Sequence, residues 1–156
     1  MSQGIASNAD AELILKLYEL RTETVMRQAR AWITGEFWPA TAAEFFVVQN
    51  DSGSQKNAWL KQVVSYWEMA ASLVLHGALS ADLFVDCNAE PFYILAKLSP
   101  ILPEIHAKSP MYFSKTLKLI ENSQAAAARY EGMKKSVEAS RQARSADWLH
   151  QPKVPG

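Results

Sequence analysis

The stretch Asn57 to Gly77, NAWLKQVVSYWEMAASLVLHG, constrains the fold more than any other part of the chain. Read as a helix, Leu60, Val63, Trp67, Ala70 and Val74 follow a 3-4-3-4 spacing and share one face. Val64, Ala71 and Leu75 widen that face, while Lys61, Ser65, Glu68, Ser72 and His76 form a narrow polar stripe opposite. A face this wide predicts a central helix touched on several sides.

The rest of the chain is of a length and composition to surround such a helix. At 156 residues it fits one domain, burying roughly two-thirds of its unfolded surface. Its 16 basic and 16 acidic residues cancel. That balance argues against a general nucleic-acid binder, which needs a surplus of Lys and Arg to neutralise phosphates. It also provides no colloidal repulsion against self-association. The lone cysteine, Cys87, forms no internal disulfide and fits a reducing compartment. The N-terminal MSQGIASNADAEL has no basic region followed by an apolar run, so no signal peptide is read there. No stretch reaches the ~18 apolar residues of a membrane span. The richest, Ala70 to Val85, is broken by Ser72, His76, Gly77, Ser80 and Asp82. The expected setting is the bacterial cytoplasm.

A first helix is predicted from about Ala9, capped by Ser7 or Asn8, to a stop at Gly35. Phe37, Trp38 and Pro39 then make an aromatic corner, since a residue before proline leaves the helical region. Thr41 with Glu44 three residues on reads as a capping box. The apolar run Phe45 to Val48 is therefore assigned to a short helix, although such a run also suits a strand. NDSGS at Asn50 is a loop, and Gly77 ends the central helix. Ser80 caps a segment from Ala81 to Cys87, and Asn88 opens another to about Leu98, with Pro91 in its first turn. Ser99–Pro100 and Ser109–Pro110 repeat a cap-then-proline signature, the second opening a last helix from Pro110 to about Arg144. Trp148 and the tail QPKVPG read as irregular.

The expected architecture is all-α: an irregular bundle of about five to seven helices with a long C-terminal helix. Two of the helices are expected to be long and antiparallel to the central one. Residues 1–124 form the helical core domain, and 125–156 extend the last helix and end in the tail.

Two segments resemble a known family. The first is SYWEMAASLVLHGALSADLFVD, with an aromatic–Glu pair, an apolar turn, a glycine stop and a small residue–Asp–Leu opening. The second is FYILAKLSPILPEIH. Together they are similar to a bacterial all-helical family catalogued as a domain of unknown function. The likeness runs from KLYELRTETVMRQAR in the first helix to about Ile120. Members often carry Arg where this chain has His106, and some look anchored by an N-terminal membrane segment. The resemblance implies an all-helical fold and attaches no activity to it.

Residues with chemistry in them are few and scattered. Glycines are isolated rather than clustered into a phosphate-cradling loop. No CxxC or HExxH pair exists, and His76, His106 and His150 lie far apart. No catalytic residue, metal site or cofactor is assigned. His76 beside the glycine stop reads as a helix-end residue near free carbonyls. Cys87 stands next to Asp86, which opposes thiolate formation, and reads as a packed or semi-buried cysteine. Glu68 lies between Trp67 and Met69 and reads as half of a structural ion pair with Arg27 or Arg30. In that pairing, Glu68→Ala would strand an arginine at a cost of about 3–5 kcal/mol.

The second half of the last helix is alanine-rich and basic, with a thin seam of Tyr130, Met133 and Val137 continued by Arg141. Three arrangements suit it. It packs along its own domain, it pairs with its copy where alanines permit close approach, or it lies as a basic amphipathic helix on a partner groove or an anionic membrane surface. The function class favoured is a non-enzymatic interaction or regulatory module that self-associates through this helix, as a homodimer or with a protein partner. The alternative is a small enzyme or ligand binder with an inter-helix pocket lined by Glu68, His76 or Tyr66.

Overall fold

The computed structural model describes residues 4–150, with side chains as far as residue 144. Among these residues the chain forms nine α-helices and one 3-10 turn, and no strand. The helices are α1 (Asn8–Arg21), α2 (Thr24–Gly35), α3 (Ala42–Gln49), α4 (Gln55–Leu75), α5 (Ala81–Cys87), α6 (Glu90–Leu98), α7 (Leu102–Lys108), α8 (Ser114–Asn122) and α9 (Gln124–His150). The 3-10 turn Ser99–Ile101 joins α6 to α7.

The central helix is α4. Leu60, Val63, Val64, Trp67, Ala70, Ala71 and Val74 are all buried on it. It packs against α2, α3, α5 and α8. Its buried Asn57 also donates from Nδ2 to the carbonyls of Val48 and Gln49, at 3.0 and 2.7 Å. One side chain thereby satisfies free carbonyls at the end of α3 and fixes that helix beside α4. Phe45, at 0% exposure, places the run Phe45 to Val48 on a helix that buries one ring in the core.

The helix count exceeds five to seven because two expected helices are each broken once. The first break is at Thr22 and Glu23. The Thr22 amide and hydroxyl both close on Glu19 O, at 3.2 and 2.8 Å. The Glu23 carboxylate then accepts from the amides of Val25 and Met26, at 3.0 and 3.1 Å, and starts α2. Two side chains thus satisfy orphan groups that a continuous helix would not have. The second break is at Ser123, whose Oγ accepts from Ala126 N at 3.2 Å and caps α9. Pro110 opens no helix. Residues 109–113 turn instead, and Phe113 adopts the left-handed region at φ 56° with its ring fully buried. The backbone cost of that conformation, on the order of 1–2 kcal/mol, is offset by burial of the phenyl ring, worth about 1.5–3 kcal/mol.

Two further boundaries differ from expectation. Asn88 closes α5, donating to Phe84 O at 3.0 Å, rather than opening α6. α9 continues through Trp148 to His150, while the QPKVPG tail lies outside the described residues. α9 rests mainly on α6, α8 and α5 rather than along α4.

Candidate functional site

Three groups of polar side chains organise the interior. The first is Glu90 at the start of α6. Arg30 Nε lies 2.9 Å from both its carboxylate oxygens, and Nη2 lies 2.7 Å from Oε2. Trp67 Nε1 donates to Glu90 Oε1 at 3.1 Å. Arg30 also donates from Nη1 to Arg21 O at 3.2 Å, closing α1. The carboxylate holds the guanidinium above its ordinary pKa, against the opposing effect of burial.

Arg30 therefore pairs with Glu90 and not with Glu68. The reason lies in where α8 begins. Glu68 accepts from the amides of Lys115 and Thr116, at 2.9 and 3.0 Å, and from the Thr116 hydroxyl at 2.7 Å. A carboxylate on α4 thus caps another helix whose own N-cap residue, Phe113, offers no side-chain acceptor. Arg27 is exposed on α2, and its charge acts on Glu23. Because no arginine is stranded, Glu68→Ala is expected to cost about 1–2 kcal/mol, the loss of a helix cap. Urea denaturation checks this, and a loss above 3 kcal/mol would restore the ion-pair reading.

The enzyme-type candidates do not meet. The Tyr66 hydroxyl donates to Leu17 O, and burial pushes its pKa up to about 12. His76 is exposed at the end of α4, and His106 Nε2 sits 2.8 Å from Tyr112 O. The side chain of His150 lies outside the described residues. Cys87 is exposed at the end of α5 rather than packed. Among the described residues, no three His, Cys, Asp or Glu side chains gather as metal ligands would.

The third group was not legible in the sequence. Lys97 on α6 is 1% exposed, and its amine donates to Ile33 O, Phe37 O and Thr34 O at 2.5, 2.6 and 3.4 Å. It satisfies the carbonyls left open where α2 ends. Arg141 and Arg144 of α9 reach the same region, donating to Lys97 O and Gly35 O at 2.6 and 2.9 Å. The sequence signal was one cation inside the otherwise apolar PFYILAKL.

These contacts decide what α9 has free. Val137 is 2% exposed, and Tyr130 and Met133 pack half-buried on the core. With Arg141 bonded to α6, the seam expected to meet a partner faces the protein's own domain. Val137 is covered there, and Tyr130 and Met133 are covered in part, so most of the seam is used by the protein's own core. The opposite face is open. At about 100° per residue, Ala125, Ala128, Gly132, Ser136, Ala139 and Ala143 fall along one line. All but the half-buried Ala125 are exposed. A groove of about 410 Å³ between α5 and α9 borders this stripe, lined by Val85, Asp86, Arg129 and Gly132 among others. Glu131, Lys135 and Glu138 flank the other side.

No described helix is long and apolar enough to cross a membrane. No curated protein and no solved structure matches the chain. One family does: the domain of unknown function DUF4760 matches residues 6–123, ending at the serine that caps α9. With three-quarters of its length so matched, the chain belongs to the DUF4760 family of domains of unknown function.

Proposed function

We propose that the protein is a helical interaction module that self-associates by antiparallel pairing of α9 through its outward, small-residue face. The observation that carries this reading is Gly132. It lies inside a 27-residue helix, has no positive φ, and has nothing within 4 Å of where a side chain would begin. A helical glycine costs about 1 kcal/mol relative to alanine, and no described residue uses the space it leaves. A second helix crossing at that point uses it.

The stripe is self-complementary about Gly132. In a two-fold antiparallel pair centred there, Ala128 faces Ser136 of the copy and Ala125 faces Ala139. Small side chains oppose small side chains along the whole crossing, so the helix axes approach to about 8 Å. The same operation brings Glu131 beside Lys135 of the copy, twice by symmetry, giving reciprocal opposite charges at the rim.

Light scattering on the full chain tests this. The expected mass is twice 17.4 kDa, and Gly132→Arg is expected to return the monomer with an unchanged helical spectrum. A wild-type monomer, or a Gly132→Arg dimer, contradicts the pairing.

A further inference from the structure

We propose that Lys97 is a proton-operated latch whose charge state sets how firmly α9 sits on the core at Arg141 and Arg144. The inference concerns the inner attachment of α9 and does not require the pairing of its outer face.

The latch is built around Trp38. Arg144, Lys97 and Arg141 place their cationic groups 4.4, 4.5 and 5.7 Å from the centre of its ring system. Three cations share one indole, and among the described residues no carboxylate forms an ion pair with any of them. Arg141 and Arg144 are also side chains that bond α9 to α6 and α2. The groups that fasten α9 are therefore the groups that a charged Lys97 repels.

The charge on Lys97 is opposed from every side. Burial, then Arg144, then Arg141 bring its pKa from the ordinary 10.5 down to about 7. The remaining neighbours keep a fixed charge there. The guanidiniums of α9 do not deprotonate. Tyr93 on α6, whose ring centre is 5.5 Å from the amine, is held neutral by burial. The elements contributed by α2 and the corner are backbone carbonyls and the indole. Near neutral pH, Lys97 alone changes charge in this cluster.

The direction follows from linkage. A base whose pKa is lowered in the seated state binds its proton more tightly when α9 lifts and the arginines withdraw. Protons therefore favour the lifted helix. Seating strengthens as pH rises through about 7. The neutral amine still has hydrogens for the Ile33 and Phe37 carbonyls, so α2 keeps its closure while α9 docks.

Hydrogen exchange of the amides of residues 138–144, corrected for intrinsic rates, reads the latch in the full chain. Protection is expected to rise roughly ten-fold per unit of pKa difference between lifted and seated states as pH increases from 6 to 9. That rise is expected to vanish in Lys97→Met, while α4 amides show no such change. Equal pH dependence in wild type and Lys97→Met overturns the latch. Because Lys97→Met removes donors from buried carbonyls, a second measurement keeps the test independent of its folding. The Lys97 amine is titrated by NMR in the wild type and in Arg144→Gln. A midpoint near 7 that rises in Arg144→Gln is expected. A wild-type midpoint near the ordinary value, or one unmoved by Arg144→Gln, overturns the proposal. Repeating the exchange in Gly132→Arg separates the two readings, since the latch is expected to survive there whether or not pairing occurs.

Discussion

Replacing Glu90 by alanine is expected to lower the unfolding free energy by about 3–5 kcal/mol. Glu90 receives three contacts from Arg30 and one from Trp67, and the side chains of the ion pair are only 24% and 12% exposed. Removing the carboxylate leaves a guanidinium and an indole N–H facing a site with no acceptor, and that uncompensated charge is the main cost. The pair also joins parts distant in sequence, since Arg30 is on α2, Trp67 on α4 and Glu90 on α6. The double variant Arg30→Met with Glu90→Leu is expected to lose much less than Glu90→Ala, because neither charge remains. Urea denaturation measures both. A loss below about 1 kcal/mol in Glu90→Ala, the range of an exposed pair, would mean that the pair is solvated.

The second large effect is expected at Trp67. Trp67→Ala should cost about 3–5 kcal/mol, through the cavity left by a fully buried indole. The ring packs edge-on against Tyr66 at 4.8 Å and Phe84 at 6.3 Å, and its N–H serves Glu90. Trp67→Phe keeps most of the volume but leaves Glu90 with one donor fewer, so a smaller loss of about 1–2 kcal/mol is expected. If the two substitutions cost the same, the hydrogen bond rather than the packing dominates at this position.

Trp67 was legible in the sequence for the same reason that it matters. It lies on the line Leu60, Val63, Trp67, Ala70 and Val74, and helical periodicity places all of these residues in the core. The caps at Ser7, Thr41 and Ser80 were equally readable, because each bonds within its own turn. What the sequence concealed are groups satisfied from far away. Glu68 caps a helix 47 residues on, and Arg30 reaches Glu90 across 60 residues. Lys97 closes a helix 60 residues earlier, at Phe37. Short-range patterns do not encode these partners. The helix breaks at Glu23 and Ser123 failed for a different reason. A mid-pattern Glu or Ser reads as a solvated helical residue unless its side chain is known to turn back on the amides.

The same distinction explains α9. Its apolar residues were identified correctly, but a thin seam does not announce whether it meets the parent domain or a copy. Burial of Val137 assigns the seam to the parent domain. The alanines, glycine and serine on the other side, which carry little hydrophobic weight, then become the surface of interest.

The pairing of α9 is tested most directly by a disulfide across its crossing. In a Cys87→Ser background, which removes the native thiol, the double variant Ala128→Cys with Ser136→Cys places facing thiols on the two paired helices and leaves Gly132 in place, while Leu15→Cys places a thiol on the exposed α1. A disulfide forms where the Cα atoms approach to about 4.4–6.8 Å, so mild oxidation is expected to link the Ala128→Cys, Ser136→Cys chains rapidly and Leu15→Cys chains slowly. Equal rates in the two variants, or no link between the Ala128→Cys, Ser136→Cys chains, would contradict it.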